Sequence, residues 1–314
     1  MSIKHDLLIT AKGHAGTFER LRQEFSAITL FDAPDRAAAL KVAAPRVRAL
    51  AHTGHAHIDS ALMDALPKLE IISNFGVGVD QIDLDAAKQR GIIVTNTAGA
   101  LNECVADCAM ALVLNTLRKI PQSGVYLRAG LWQSQGTYPL GTSLGGKTLG
   151  ILGLGRIGEA IAKRAQAFGM VIRYHNRNPK PVSFAYDSDA VTLAKNSDVL
   201  LAITPGGAQT DKLVNAQVLD ALGPNGYFIN VARGSVVDEP VLLHYLQQKK
   251  IAGAGLDVFE HEPKVPPEFF TLDNVVLTPH IASGTRETRT AMGDLQIENL
   301  HLHFAGKPVK TPVV

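Results

Sequence analysis

The chain has 314 residues, of which 46% are hydrophobic and 19% charged, and its formal net charge is +2. A chain of this length and apolar content is long enough for two domains with large cores. The near-neutral balance, with no Lys/Arg run, signal core or bilayer-length apolar segment, argues against nucleic-acid and membrane partners and favours a cytoplasmic protein.

The first hundred residues alternate short apolar runs with helical patterns. The runs predict strands, and the patterns predict helices between them. We expect strands at 6–10, 28–30, 47–51, 69–73 and 92–95, and helices at 17–25, 35–42 and 59–65. Because this βα series is complete before the next motif begins, it should form an α/β domain of its own.

A group of three histidines, His52, His55 and His57, comes at the end of the third strand. Metal sites combine such histidines with carboxylates, cysteines or a second cluster. None accompanies this group, so we expect solvent-exposed side chains and no metal site.

A long apolar helical pattern runs from Cys104 to Leu117. Its two cysteines, Cys104 and Cys108, lie one helical turn apart. No partners for a structural zinc site are present, and we interpret both thiols as small core residues of a cytosolic protein.

A glycine-rich motif follows, with an apolar strand pattern before it and a helical pattern after it. Gly153 would allow the tight turn, Gly155 would let the backbone approach a pyrophosphate, and Gly158 would let the helix pack on the strand. The first N–H groups of the helix would face the phosphates, whose charge the helix dipole favours. The expected cofactor contacts of this loop are Gly153, Gly155, Arg156, Ile157 and Gly158.

The next strand, at 171–174, should end in the residue that meets the adenosine ribose. A site that prefers NAD has Asp or Glu there, but this chain has His175, Asn176 and Arg177. The missing carboxylate removes repulsion toward a 2′-phosphate, and Arg177 can make charge-assisted contacts with it. We therefore predict NADP(H), with NAD(H) at lower preference; a merely solvated arginine is the alternative interpretation.

The βα alternation continues to the end of the chain. Further strands are expected at 149–152, 199–203, 227–231, 254–257 and 275–277. The last helical pattern, at 285–303, follows the final strand and could return to the first domain.

Five segments in order then carry a family resemblance. They are 74–80 (NFGVGVD), 153–158 (GLGRIG), 230–234 (NVARG), 256–263 (LDVFEHEP) and 278–282 (TPHIA). On these segments the chain resembles the D-isomer-specific 2-hydroxyacid dehydrogenases, and among them most closely the NADPH-dependent glyoxylate/hydroxypyruvate reductases.

The resemblance implies two Rossmann-like or flavodoxin-like α/β domains. An NADP-binding domain, residues 100–285, is expected to be inserted into a discontinuous substrate domain, residues 1–99 and 286–314. The active site would lie in the cleft between them, and such proteins are usually homodimers.

Reduction of a 2-oxo acid needs a hydride, an acid for the carbonyl oxygen and a cation for the carboxylate. His280 suits the acid role because imidazole titrates near neutral pH, and Glu262 would hydrogen-bond it and favour its charged form. Arg233, after an apolar strand, can pair with the carboxylate and polarise the 2-oxo group. The alternatives are that His280 is a structural histidine and that Arg233 is merely solvated, and the family motifs disfavour both.

Other roles come from the resemblance alone. It implies that the backbone N–H groups of Val77 and Gly78 bind the substrate carboxylate and that Asp257 binds the nicotinamide carboxamide. Three more residues, Thr204, Pro205 and Ala232, would contact the cofactor.

The choice of substrate stays open at this stage. The only tryptophan, Trp132, resembles one that shapes selectivity in a neighbouring subunit's active site, but simple interface packing explains it equally well. Bulkier acids such as hydroxyphenylpyruvate or 2-ketogluconate are the alternative substrates. A cofactor-sensing corepressor on the same scaffold is the alternative without catalysis.

Overall fold

Two α/β units make up the chain in the computed structural model, which describes residues 4–54 and 56–314. One unit comprises Met1–Leu101 with Thr285–Val314, and the other comprises Asn102–Gly284. The second unit is thus inserted into the sequence of the first, and the predicted fold class is confirmed. The sequence-based boundaries, after residues 99 and 285, differ from this division by two residues and one.

The first unit is built on a five-stranded parallel sheet. Its strands are β1 (Asp6–Ile9), β2 (Ser26–Thr29), β3 (Ala49–His52), β4 (Ile71–Asn74) and β5 (Ile93–Thr95), and its helices so far are α1 (Ala15–Glu24), α2 (Arg36–Ala43), α3 (Ser60–Ala65) and α4 (Leu84–Gln89). The strand order β2-β1-β3-β4-β5 is that of flavodoxin-like sheets. All five predicted strands are present. Helix α4 was not predicted, because its buried residues, Ala86 and Ala87, are small and adjacent and give no helical apolar pattern. It begins where the Asp83 carboxylate accepts from Ala86 N at 2.8 Å.

The prediction for the histidine group is wrong at His52. This residue ends β3, all four residues of which are buried, and it is 1% exposed. Its Nδ1 lies 3.2 Å from Thr10 Oγ1. A central strand of a parallel sheet is covered on both faces, which explains the burial. His57 is exposed as predicted, and His55 lies outside the described residues.

The second unit is built on a seven-stranded parallel sheet. Its helices are α5 (Asn102–Arg118), α6 (Ile120–Arg128), α7 (Leu131–Gln135), α8 (Arg156–Ala167), α9 (Ala190–Lys195), α10 (Ala216–Leu222) and α11 (Glu239–Gln247), and its strands are β6 (Thr148–Leu152), β7 (Val171–His175), β8 (Ala185–Tyr186), β9 (Val199–Ala202), β10 (Tyr227–Asn230), β11 (Gly253–Leu256) and β12 (Val275–Leu277). The order is β12-β11-β10-β9-β6-β7-β8. The direction of winding reverses between β6 and β9, and in doubly wound sheets ligands bind at the carboxyl ends of the strands at that point.

The final helix, α12 (Arg286–Phe304), belongs to the first unit. Its buried residues Ile297 and Leu300 pack in the same apolar cluster as Leu7 and Ile9 of β1. The C-terminal segment therefore completes a core that the N-terminal strands begin. Within the described residues, no helix combines the length and apolar character needed to cross a membrane.

Candidate active site

The glycine loop between β6 and α8 has the backbone that its sequence predicts. Gly153 has φ +100°, and a Cβ there would lie 2.9 Å from Ile203 O, so a side chain is excluded by conformation and by space. A Cβ on Gly158 would lie 2.6 Å from Gly153 O. These contacts seat the loop against the end of β9, at the reversal of strand order. The structural roles predicted for Gly153 and Gly158 are confirmed.

The residues that follow are open to a ligand. A Cβ on Gly155 would meet no atom within 4 Å, and no side chain caps α8 at this residue. The first N–H groups of this 12-residue helix, including those of Arg156 and Ile157, therefore have no capping side chain. Across from the loop, Thr204 Oγ1 is buried without a hydrogen-bond partner among the described residues. Open backbone donors and an unpaired hydroxyl fit a dinucleotide phosphate and ribose.

The structure changes the interpretation of Asn176. Its Oδ1 accepts from Leu154 N at 2.7 Å, and its Nδ2 donates to Leu154 O at 3.3 Å. The amide that stands at the ribose-binding position thus holds the glycine loop with one acceptor and one donor position, and each of its two polar atoms has a second position. The predicted contact of Asn176 with the cofactor stays a prediction.

The side chain of Arg177 differs from that of Asn176 in its contacts. Its side chain is exposed, and its Nη1 donates to Gln209 Oε1 at 2.8 Å. No carboxylate among the residues that the structure describes forms an ion pair with it. The strand before it is anchored at Arg173, whose guanidinium donates twice to the buried Asp187 carboxylate at 2.7 and 2.8 Å. These hydrogen bonds lower the pKa of Asp187.

His280 and Glu262 form the hydrogen bond that the sequence predicts. Nδ1 of His280 donates to Glu262 Oε2 at 2.7 Å, because a carboxylate can only accept. The other carboxylate oxygen accepts from Phe259 N at 3.0 Å, which fixes the glutamate. The glutamate side chain is 14% exposed and the imidazole 40% exposed. The imidazole is therefore oriented from one side and accessible on the other.

Asp257 holds the segment that carries His280. Its carboxylate is fully buried and accepts from Thr278 Oγ1 at 2.7 Å, Ile281 N at 2.8 Å and Ala282 N at 2.9 Å. His280 itself has φ +52°, a left-handed conformation that a non-glycine residue keeps only where the surroundings impose it. The nicotinamide contact expected of Asp257 stays a prediction.

Arg233 lies on a turn that two neighbours define. At the end of β10, Asn230 Nδ2 donates to Arg233 O at 2.9 Å and its Oδ1 accepts from Ala232 N at 3.0 Å. A Cβ on Gly234 would lie 1.9 Å from Phe259 C, so the turn packs directly on the segment that leads to Glu262. The sequence motifs of Arg233 and Glu262 therefore meet in one region of the second unit.

The remaining predicted residues are placed as follows. Pro205 is exposed and Ala232 is almost fully buried. Val77 and Gly78 belong to the first unit, where they follow β4 and are partly buried. Cys104 and Cys108 are partly buried, and burial raises the pKa of Cys108 to about 11, with the Asp257 charge adding to the shift. Cys108 is thus a protonated thiol near neutral pH rather than a nucleophile.

Sequence reasoning missed the asparagines that brace these loops. Asn74, Asn96 and Asn230 each stand at the end of a strand or directly after one, and each uses its amide on the turn that follows. A usable signal existed, since an asparagine that closes an apolar run at the start of a turn is placed to bond backbone groups.

Comparison with known proteins gives the chain its context. The family model described as D-isomer specific 2-hydroxyacid dehydrogenase, NAD binding domain, matches residues 110–282. The chain is 47% identical over 295 residues to glyoxylate/hydroxypyruvate reductase A of Arabidopsis thaliana, with 94% of each chain covered. It is 46% identical over 297 residues to hydroxyphenylpyruvate reductase of Plectranthus scutellarioides, with 94% of this chain and 95% of that protein covered.

A solved structure is similar over nearly the whole chain. It is the NADPH-dependent glyoxylate/hydroxypyruvate reductase of Sinorhizobium meliloti in complex with NADP and malonate. The TM-score is 0.93 at 46% identity, and the match covers 99% of this chain and 97% of that one.

Proposed function

The chain belongs to the D-isomer specific 2-hydroxyacid dehydrogenase family, and from that premise we propose that it uses NADPH to reduce glyoxylate to glycolate and hydroxypyruvate to the D-2-hydroxy acid. The observation that carries the proposal is the His280–Glu262 hydrogen bond, with the Arg233 turn packed on the same segment. An accessible imidazole that a carboxylate orients suits proton transfer, which a protein that only binds cofactor does not use.

Each residue has a task in the proposed reaction. When bound, the nicotinamide supplies the hydride that C2 of the oxo acid receives. His280 gives the proton from Nε2 to the carbonyl oxygen, because Nδ1 is engaged with Glu262. Arg233 pairs with the carboxylate and polarises the carbonyl. Val77 and Gly78 remain proposed donors to the same carboxylate.

The first assay compares cofactors and acids directly. Oxidation of NADPH and of NADH is followed at fixed enzyme with glyoxylate, hydroxypyruvate, hydroxyphenylpyruvate and 2-ketogluconate. The highest kcat/KM with NADPH and one of the two small acids supports the proposal. A preference for a bulky acid favours the alternative substrates, and tight cofactor binding without turnover favours the corepressor-like alternative.

NADPH preference is proposed to depend on Arg177. The supporting observations are its exposed guanidinium, its neutral partner Gln209 and the NADP in the similar Sinorhizobium meliloti structure. We expect Arg177→Ala to raise KM for NADPH by about 10- to 100-fold, the cost of losing charge-assisted bonds to a phosphate. KM for NADH should stay within about twofold, since NADH has no 2′-phosphate.

The matched control for that variant is Lys163→Ala. Lys163 is an exposed cation on α8 of the same unit, so its loss changes the net charge equally. Equal rises of KM for NADPH in the two variants, or a parallel rise for NADH, would refute a specific phosphate contact of Arg177.

A homodimer is proposed through the segment 120–140. Helices α6 and α7 bury no residue within their own unit. Contiguous exposed apolar side chains commonly mark protein interfaces. Five large apolar side chains here are between 50% and 91% exposed: Ile120, Val125, Leu127, Trp132 and Leu140.

We expect Val125→Asp to convert the dimer to a monomer, because a carboxylate would be buried unpaired in the interface. Sedimentation gives the mass, and the emission of Trp132, the only tryptophan, should shift to longer wavelength as it becomes exposed to water. Val42→Asp, at a 77% exposed position of α2, is the control. A wild-type monomer at micromolar concentration contradicts the proposal. The cytoplasmic location stays a prediction.

A further inference from the structure

One buried amide, that of Asn74, holds two carbonyl groups of the turn from Gly76 to Gly78. Nδ2 of Asn74 donates to Gly76 O at 3.0 Å and to Gly78 O at 2.9 Å. Asn74 is the last residue of β4 and is almost fully buried, so the sheet fixes its position. Both hydrogens of this nitrogen are therefore used on one turn.

A second amide holds the carbonyl between them. Nδ2 of Asn96 donates to Val77 O at 3.1 Å, and its Oδ1 accepts from Ala98 N at 3.1 Å. The backbone N–H of Thr97 adds a bond to Gly76 O at 3.0 Å. All three carbonyl oxygens of the turn thus have donors from the protein.

The N–H side of the same turn is different. Within residues 4–54 and 56–314, no hydrogen bond uses the N–H of Val77 or Gly78 as donor. Both residues are only partly buried. Backbone donors left unused beside fully bonded carbonyls are suited to bind an anion, since successive N–H groups attract negative charge.

We propose that Asn74 and Asn96 are positioning residues for the 2-oxo acid. Their amides fix the carbonyls of the turn, which leaves the N–H groups of Val77 and Gly78 for the substrate carboxylate. This inference rests on the proposed function, in which those groups bind the carboxylate. A neutral amide is required at both places, because an ionised Asp has no hydrogen to donate to a carbonyl oxygen and would repel the substrate anion.

The test replaces Asn74 by leucine, which has a similar size and no donor. We expect KM for glyoxylate to rise about 10- to 100-fold, since a displaced binding group costs that much even away from the reacting atoms. KM for NADPH should stay within about twofold. A variant that only loosens the fold would lower thermal stability without this split between the two KM values.

Gln296→Met is the matched control. Nε2 of Gln296 also bridges two carbonyls, His52 O at 3.2 Å and Ser73 O at 2.8 Å, and the residue is as buried as Asn74 in the same unit. It makes no bond to the turn. We expect a comparable fall in melting temperature with KM for glyoxylate within about twofold. An equal rise of KM in this control, or none in Asn74→Leu, overturns the inference.

Two further measurements keep the test decisive. Should Asn74→Leu not fold, Asn96→Ala replaces it, because Asn96 is partly exposed and its loss is milder. Binding of oxamate, a carboxylate that cannot be reduced, to the NADPH complex is measured by calorimetry. If the wild type binds oxamate but reduces no acid, the proposed function fails, and the ratio of oxamate affinities still decides the roles of Asn74 and Asn96. No oxamate binding by the wild type overturns both.

Discussion

His280→Ala should lower kcat for NADPH-dependent reduction of glyoxylate by about 10²- to 10⁴-fold, the range that general acid catalysis contributes. The expectation comes from the geometry of the pair, because Glu262 accepts from Nδ1 at 2.7 Å and so orients the imidazole for proton delivery from Nε2. An alanine leaves water as the proton donor, without orientation or a suitable acidity. The measurement is kcat at saturating glyoxylate and NADPH, followed by the loss of NADPH absorbance.

Three comparisons make this result specific. NADPH affinity, measured by its fluorescence, should be unchanged in the variant, since His280 acts on the substrate. His244→Ala, an exposed histidine on α11, should retain wild-type turnover. The single variant Glu262→Gln should have a lower kcat than the wild type. Added to His280→Ala in a double variant, it should lower kcat little further, because the effects of residues that act as a unit are not additive. A kcat of His280→Ala within about threefold of wild type would exclude the acid role.

The parts of the fold that the sequence predicts best are those with local signals. Apolar runs of three to five residues identified all the strands except β8, which has two residues, and the spacing of Gly153, Gly155 and Gly158 identified the loop between β6 and α8. Helix α4 was missed because its buried residues are two adjacent alanines, which show no helical periodicity. The burial of His52 was not predicted, because it depends on the helices that pack over the sheet and not on the residues next to His52 in the sequence.

Within the candidate site, the limit was the partner of each side chain. Asn176 bonds Leu154, 22 residues away, and Asp257 bonds Ala282, 25 residues away. A position in a motif does not reveal such partners, because strand order decides which loop ends lie side by side. The position at the end of β7 assigned Asn176 to the cofactor, and the family resemblance assigned Asp257. The structure shows both side chains bonded to loops of the protein, and their contacts with the cofactor stay predictions.

Asn230 fixes the turn that carries Arg233, the cation proposed to pair with the substrate carboxylate. Its amide bonds Ala232 N and Arg233 O, which sets the turn from which the Arg233 side chain leaves. Nη1 of Arg233 donates to Ala232 O within the turn at 2.7 Å, and this bond helps to orient the guanidinium.

Arg233→Ala is accordingly expected to lower kcat/KM for glyoxylate by about 10³-fold or more. Loss of one donor to a developing oxyanion costs about 10²- to 10³-fold, and here the pairing with the carboxylate is lost as well. Both kcat and KM should change, because the carboxylate contact exists before the reaction and the carbonyl contact strengthens during it. Arg233→Lys keeps the charge but not the fork, and we expect it to recover only part of the loss.

The control is Arg118→Ala, which removes an exposed cation from α5 of the same unit. Its kcat/KM for glyoxylate should match the wild type, which separates a specific contact from the general field of the protein. Full activity of Arg233→Lys would mean that a point charge suffices and that no bidentate contact forms. Full activity of Arg233→Ala would exclude Arg233 as a carboxylate contact. The N–H groups of Val77 and Gly78 would then be the remaining proposed contacts, and Asn74→Leu should raise KM for glyoxylate by more than the range given above.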